Sequence, residues 1–181
     1  MSNFESEHQL STMEATKSLI LNSHKITQKI ERMAWEILEN NFSETEVVLV
    51  GIQSNGYTLA KRIADRLQKI SSLKVSLYAI SINKKQPLDE PARFDIPLSE
   101  LKGKAIIVVD DVLNSGKTLL YGIKPFLDIP VKRLQTAVLV DRKHNRYPVK
   151  SDFTGLSLAT TLKEHISVEL DKAGEEAVYL L

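Results

Sequence analysis

Two carboxylates, Asp110 and Asp111, follow directly on the apolar run Ala105-Ile106-Ile107-Val108-Val109 and precede Val112-Leu113-Asn114-Ser115-Gly116-Lys117-Thr118. An ionised aspartate only accepts hydrogen bonds. Two of them at the end of an apolar strand are costly to hold unless a donor or a cation meets them. The vicinal hydroxyls of a ribose are donors at matching spacing, and a magnesium-bridged phosphate ligand would satisfy the same oxygens. The turn that follows offers different chemistry. It has successive backbone N–H groups, a glycine that permits close approach, the hydroxyls of Ser115 and Thr118, the charge of Lys117 and the start of a helical stretch. Those are the parts of a phosphate cradle. Taken alone, Ser115 to Thr118 is equally well a plain strand-to-helix turn; with the acids in front of it, the run suits a ligand carrying both hydroxyls and a phosphate.

Gly116-Lys117-Thr118 also resembles the tail of a Walker-type phosphate loop. That motif requires a glycine five residues before Gly116. Asp111 stands there; it cannot make the tight turn, and its charge would repel a triphosphate. Nucleoside-triphosphate hydrolysis is therefore not expected.

The elements that must position these residues follow from periodicity. Ile26, Ile30, Met33, Ala34, Ile37 and Leu38 recur at three- and four-residue steps, so a helix starts at Ser23, with Ser23 or Asn22 as cap, and ends at Asn40-Asn41. Residues 47–50 form a continuous apolar strand that runs into Gly51-Ile52-Gln53-Ser54-Asn55-Gly56, and a helix is expected over 57–70. Further strands are expected over 73–82, 105–109 and 134–140, a helix over 118–127, and weaker strands over 153–158, 166–170 and 177–180. Residues 83–103 read as a long charged loop with Pro87, Pro91 and Pro97. Strands alternating with helices predict an α/β fold, a mostly parallel twisted sheet flanked by helices. In such sheets ligands bind beyond the carboxyl ends of the strands. The loops 51–56, 110–118 and 141–147 therefore converge on one edge.

Composition narrows the function class. A chain of 181 residues with 43% hydrophobic and 26% charged residues supports one domain with a real core. We read residues 1–20 as an N-terminal extension and 21–181 as a single domain. The net charge of +1, without a basic run, gives little electrostatic support for nucleic-acid binding. The absence of cysteine excludes disulfides and thiolate metal sites, and His8, His24, His144 and His165 lack zinc-type spacing. No apolar run approaches the roughly 18 residues of a membrane span and no signal peptide is visible, so a cytoplasmic protein is expected.

The stretch from Val109 to Thr118 resembles the phosphoribosyl pyrophosphate (PRPP) signature of type I phosphoribosyltransferases. More narrowly, the chain is similar to the bifunctional pyrimidine-operon attenuator/uracil phosphoribosyltransferase subfamily. Leu49-Val50-Gly51-Ile52, with Leu59-Ala60-Lys61-Arg62-Ile63-Ala64 after it, resembles that subfamily's pyrophosphate loop and helix. Ala137-Val138-Leu139-Val140-Asp141-Arg142, with His144 and Pro148, resembles its segment near the base. The likeness runs from about Ile20 to Leu180. It implies the type I phosphoribosyltransferase fold with a small hood segment, and transfer of ribose 5-phosphate from PRPP to a nucleobase with release of pyrophosphate. It implies that Asp110 and Asp111 hold the ribose hydroxyls, that Asn114, Ser115, Gly116, Lys117 and Thr118 bind the 5′-phosphate, and that Gln53, Ser54, Asn55 and Gly56 face pyrophosphate. Arg142 and nearby backbone would approach the base, and Mg2+ would be carried in on PRPP near Asp110 and Asp111.

Three departures from the pattern bear on function. Relatives usually carry an arginine where Asn55 stands, so a positive charge is missing beside pyrophosphate. The 83–103 loop is shortened, although Lys84, Lys85 and Arg93 remain available for closure over the substrate. Purine-specific members often place an acid at Asn114, which favours uracil or another pyrimidine here. On the first helix, Glu31, Trp35 and Asn40 stand where RNA-binding relatives carry small polar or basic groups, so RNA binding is not favoured. That apolar-faced helix with Trp35 makes a homodimer the expected assembly. A non-catalytic PRPP- or nucleotide-binding regulator built on the same site is the competing reading.

Overall fold

The computed structural model describes residues 17–83, 92–161 and 164–181. Its central element is β5 (Ala105–Leu113), flanked by β2 (Glu46–Ile52) and β6 (Arg133–Asp141). With β3 (Lys74–Ser81), β4 (Arg93–Phe94) and β7 (Phe153–Ser157) they form a six-stranded sheet of order β4-β3-β2-β5-β6-β7. All pairings are parallel except β3 with β4. Parallel strands need covering on both faces, and the helices supply it. On one face lie α1 (Ser23–Asn40) and α2 (Asn55–Ile70), packed on Leu49, Ile107 and Val109. On the other lie α3 (Lys117–Ile123) and the 3-10 turn Lys124–Asp128, whose Leu119 and Phe126 join Val48, Ile106 and Val108. This is the α/β architecture expected from the alternation of elements.

The amphipathic pattern explains α1 directly. Ile26, Ile30, Met33, Ala34 and Ile37 are all buried, and Asn22 caps the helix by accepting from the Lys25 amide at 3.0 Å. Burying the Ile and Met side chains contributes roughly 1.5–3 kcal/mol each, which outweighs any single local preference.

Several boundaries differ from expectation. The central strand continues past Val109 through the acids, because Asp110 and Val112 keep their pairing with Val138 and Val140 of β6. The helix expected over 118–127 tightens into a 3-10 turn at Lys124, where Pro125 lacks the N–H that an α-helix would use. Within the 83–103 loop, β4 and a 3-10 turn over Leu98–Leu101 are formed; Lys84, Lys85, Pro87 and Pro91 lie outside the described residues.

The weaker strand candidates separate into two groups. β7 joins the main sheet, whereas β8 (Ile166–Glu169) and β9 (Ala177–Leu180) pair antiparallel with each other and with β1 (Ser18–Asn22), in the order β1-β9-β8. The boundary at residue 20 thus falls inside β1, whose Ser18 pairs with Leu180. The rest of the N-terminal extension, residues 1–16, lies outside the described residues. This small sheet is the hood. It is fastened to the helices by Glu176, which accepts from the Ser23 hydroxyl and the Gly174 amide and pairs with Arg62 at 3.0 Å.

Candidate active site

The carboxyl ends of β2, β5 and β6 carry the loops 53–56, 110–118 and 141–147 side by side, because these three strands are neighbours in the sheet. Asp110 is buried, 2% exposed, and its Oδ1 accepts from the Asp111 amide at 3.0 Å. Asp111 is half-buried and its Oδ2 accepts from Asn55 Nδ2 at 2.9 Å. The first turn of α2 reaches the acids because residue 56 is glycine. A Cβ there would lie 2.6 Å from the Val109 carbonyl oxygen and 3.3 Å from Asp110 Oδ1.

Asn55 does more than occupy the place of an absent arginine. Its amide donates to Asp111 and also to the Val168 carbonyl of β8, again at 2.9 Å. One side chain thus ties the 53–56 loop, the acid pair and the hood together. Gln53 is exposed and its side-chain oxygen accepts from the Ser81 hydroxyl, so it braces the end of β3; Ser54 is exposed. The peptide between Gln53 and Ser54 is cis.

The turn behind the acids is held by its backbone. Gly116 has φ +84, and a Cβ there would meet Val149 Cγ1 at 2.6 Å, so both its conformation and its packing require glycine. The Ser115 carbonyl accepts from the amides of Arg146 and Tyr147 at 2.9 and 3.1 Å, and the Ser115 hydroxyl accepts from the Lys117 amide at 3.3 Å. Thr118 is half-buried in the first turn of α3, where helix N–H groups have no intrahelical acceptor. The turn thus sets the start of α3 next to two carboxylates.

Arg142 is placed differently from the reading as a group offered to the base. It is 3% exposed, and its guanidinium donates to Thr160 Oγ1 and Asn114 Oδ1, both at 3.0 Å, to the Thr161 carbonyl at 3.3 Å and to the Glu164 carbonyl. It therefore pins the segment after β7 to the 110–118 loop. His144 adds a 2.6 Å bond from Nε2 to the Thr160 carbonyl. The Glu164 carboxyl is held below the usual carboxylate range by the Thr161 amide and hydroxyl, with Arg142 and His144 nearby. Thr160, Glu164 and Glu176 were not singled out from the sequence. Each also has a partner 16 to 153 positions away, a separation that local pattern does not encode.

Paired acids at the end of the central strand, a glycine turn leading into α3 and a hood over one edge of a parallel sheet define an α/β protein of the kind that binds a ligand beyond the carboxyl ends of its strands. Comparison with known proteins agrees: residues 17–173 match the family model described as "Phosphoribosyl transferase domain". The chain belongs to the phosphoribosyltransferase family. It is 34% identical over 169 residues to "Bifunctional protein PyrR" of Bacillus subtilis (strain 168), covering 88% of this chain and 93% of that one. The protein of the same name from Streptomyces coelicolor is 35% identical, covering 89% and 88%. Among solved structures, the hypoxanthine phosphoribosyltransferase of Trypanosoma cruzi superposes with a TM-score of 0.71 at 15% identity, covering 89% of this chain and 95% of that one. A hypoxanthine-guanine phosphoribosyltransferase from Bacillus anthracis gives 0.71 at 18%, covering 88% and 96%. At such identities the structures show the shared fold.

Proposed function

We propose that this chain transfers ribose 5-phosphate from PRPP to the ring nitrogen of a pyrimidine base, uracil favoured, and releases pyrophosphate. The observation that carries the reading is the adjacency of Asp110 and Asp111 to the 114–118 turn that leads into α3, with Asn55 donating to Asp111 from the β2 side; we read that turn as the phosphate cradle. The acids accept from the ribose hydroxyls and the cradle takes the 5′-phosphate. The C1′–oxygen bond to pyrophosphate breaks with its electron pair leaving on pyrophosphate. A bond from C1′ to the base nitrogen forms, and the proton of that nitrogen passes to solvent. Positive charge develops on the ribose ring as the leaving group departs, and two fixed carboxylates beneath it stabilise that charge. The cradle and Asn55 keep the sugar in register.

Mg2+ fits this donor set as an ion arriving with PRPP. Asp110 and Asp111 offer hard oxygens, but the described residues hold no group of three or more His, Cys, Asp or Glu able to bind a metal. Its contribution when bound is to neutralise the pyrophosphate oxygens. Among the described residues no helix is long and apolar enough to cross a membrane. Trp35 on α1 is 45% exposed and Phe42, just beyond the helix's C-cap, is 82% exposed; these two apolar side chains support a homodimer.

A pyrophosphate-release assay over a panel of bases tests the reading. Turnover with uracil, lost on Asp111→Asn, is the expected result. Binding of PRPP or nucleotide without turnover on any base would remove the enzyme and leave the regulator. The regulator is favoured by one observation: the Asn55 amide already engages Asp111, and no cationic side chain stands among residues 53–56.

A further inference from the structure

The orientation of the Asn114 amide is set by its neighbour. A guanidinium has donors only, so the Asn114 atom 3.0 Å from Arg142 Nη1 is the amide oxygen. Arg142 is itself immobilised by Thr160, Thr161 and Glu164. The Asn114 NH2 is therefore turned away from Arg142. Asn114 is exposed, and its NH2 takes no partner among the described residues.

Sheet order then says what this NH2 faces. The 110–118 loop of β5 lies between the 53–56 loop of β2 and the end of β6, where Arg142 stands. Displacement at C1′ requires the leaving group and the incoming nitrogen on opposite sides of the sugar. With pyrophosphate toward β2, the base lies toward β6, beside Asn114. This step rests on the ribose-phosphate reading given above.

We infer that Asn114 is a specificity-determining donor, oriented by Arg142, that takes an oxo group adjoining the ring nitrogen receiving ribose, so that 2-oxopyrimidines are the preferred bases. As that nitrogen bonds to C1′ and loses its proton, negative charge spreads onto the neighbouring oxo oxygen, where a fixed N–H meets it. A free base that presents an N–H at that point sets donor against donor, leaving polar groups unpaired. Arg142 is the positioning residue.

The test compares uridine 5′-monophosphate with its 2-thio analogue, whose sulfur is a weak acceptor, by calorimetric titration of the wild type and Asn114→Leu. Ribose 5-phosphate serves as a probe that lacks the base. The expected result is about tenfold tighter binding of the oxo nucleotide by the wild type, with the ratio falling to near one in Asn114→Leu. If Asn114→Leu fails to fold, Asn114→Asp keeps a partner for Arg142 but turns an acceptor outward, and the ratio is expected at or below one. A wild type that does not bind ribose 5-phosphate refutes the ribose-phosphate reading and this inference with it. A wild type that binds ribose 5-phosphate but shows no oxo preference, or variants that keep the wild-type ratio, overturns the inference alone.

Discussion

Asn55→Asp is the most direct perturbation of the bridge between the acid pair and the hood. In the wild type the Asn55 amide donates to Asp111 Oδ2 and to the Val168 carbonyl, each at 2.9 Å. The substitution keeps the shape and converts both donors into acceptors. Two carboxylates about 2.9 Å apart repel by about 6 kcal/mol at an effective dielectric near 20. Protonating one of them relieves the repulsion, and for an ordinary aspartate with a pKa of about 3.9 this costs about 4 kcal/mol at pH 7. That cost falls by about 1.4 kcal/mol per pH unit, to about 1.5 kcal/mol at pH 5. The sign is therefore fixed. The pair's folded-state pKa is raised above the unfolded value, so the variant is most competitive at low pH and loses stability as pH rises. The two lost donor bonds add roughly 1 kcal/mol each at either pH, and Asn55→Ala suffers only that part. Rotation of either half-buried side chain into water lowers the repulsion, so a gap of about 2 kcal/mol or more between the two variants at pH 7, narrowing at pH 5, is the expected reading. Urea denaturation of the wild type and both variants at the two pH values measures it. Equal stability of Asn55→Asp and Asn55→Ala at both pH values would refute the reasoning, because no second carboxylate would then be meeting Asp111.

Three further outcomes are expected. The Glu46 carboxyl is held down to about 2, first by Lys104 and then by Ser76, against burial that pushes it up. It contributes on the order of 3 kcal/mol, fully present above its unfolded pKa and lost as pH falls toward 2, so Glu46→Gln should flatten the acid limb of a stability–pH curve below about pH 4.5. Gly56→Ala should remove PRPP binding in a calorimetric titration, because the new Cβ would stand 2.6 Å from the Val109 carbonyl and push α2 off the acids. Glu176→Gln should speed hydrogen exchange in β8 and β9 more than in β5, since it weakens the clasp to Arg62 and Ser23 that fastens the hood to the helices.

What was legible in the sequence and what was not divides along the length scale of the contacts. The strands 105–109 and 134–140 and the helix from Ser23 are written in local apolar periodicity, and the structure forms all three. The glycine turn behind the acids is legible because Gly116 and its hydroxyl neighbours lie within one turn, and the structure gives Gly116 the positive φ that such a turn requires. The hood is not legible as a sheet of its own. Its three strands are short, and β1 finds β9 across the whole chain, with Ser18 opposite Leu180.

The same distinction explains the two site residues whose roles changed most. Read from the sequence, Arg142 is a cation near the base and Asn55 is a missing cation near pyrophosphate; both readings count charge. The structure replaces charge with hydrogen-bond geometry. Arg142 is buried and spends its donors on Asn114 and on the segment after β7, and Asn55 spends both N–H groups on Asp111 and β8. Each thereby joins one flank of the acid loop to the chain that covers it: Asn55 on the β2 side, Arg142 on the β6 side. The acid loop is consequently framed by two side chains that fix neighbouring groups, so on the ribose-phosphate reading proposed above the orientation of amides, rather than net charge, is the property through which the site would select its ligand.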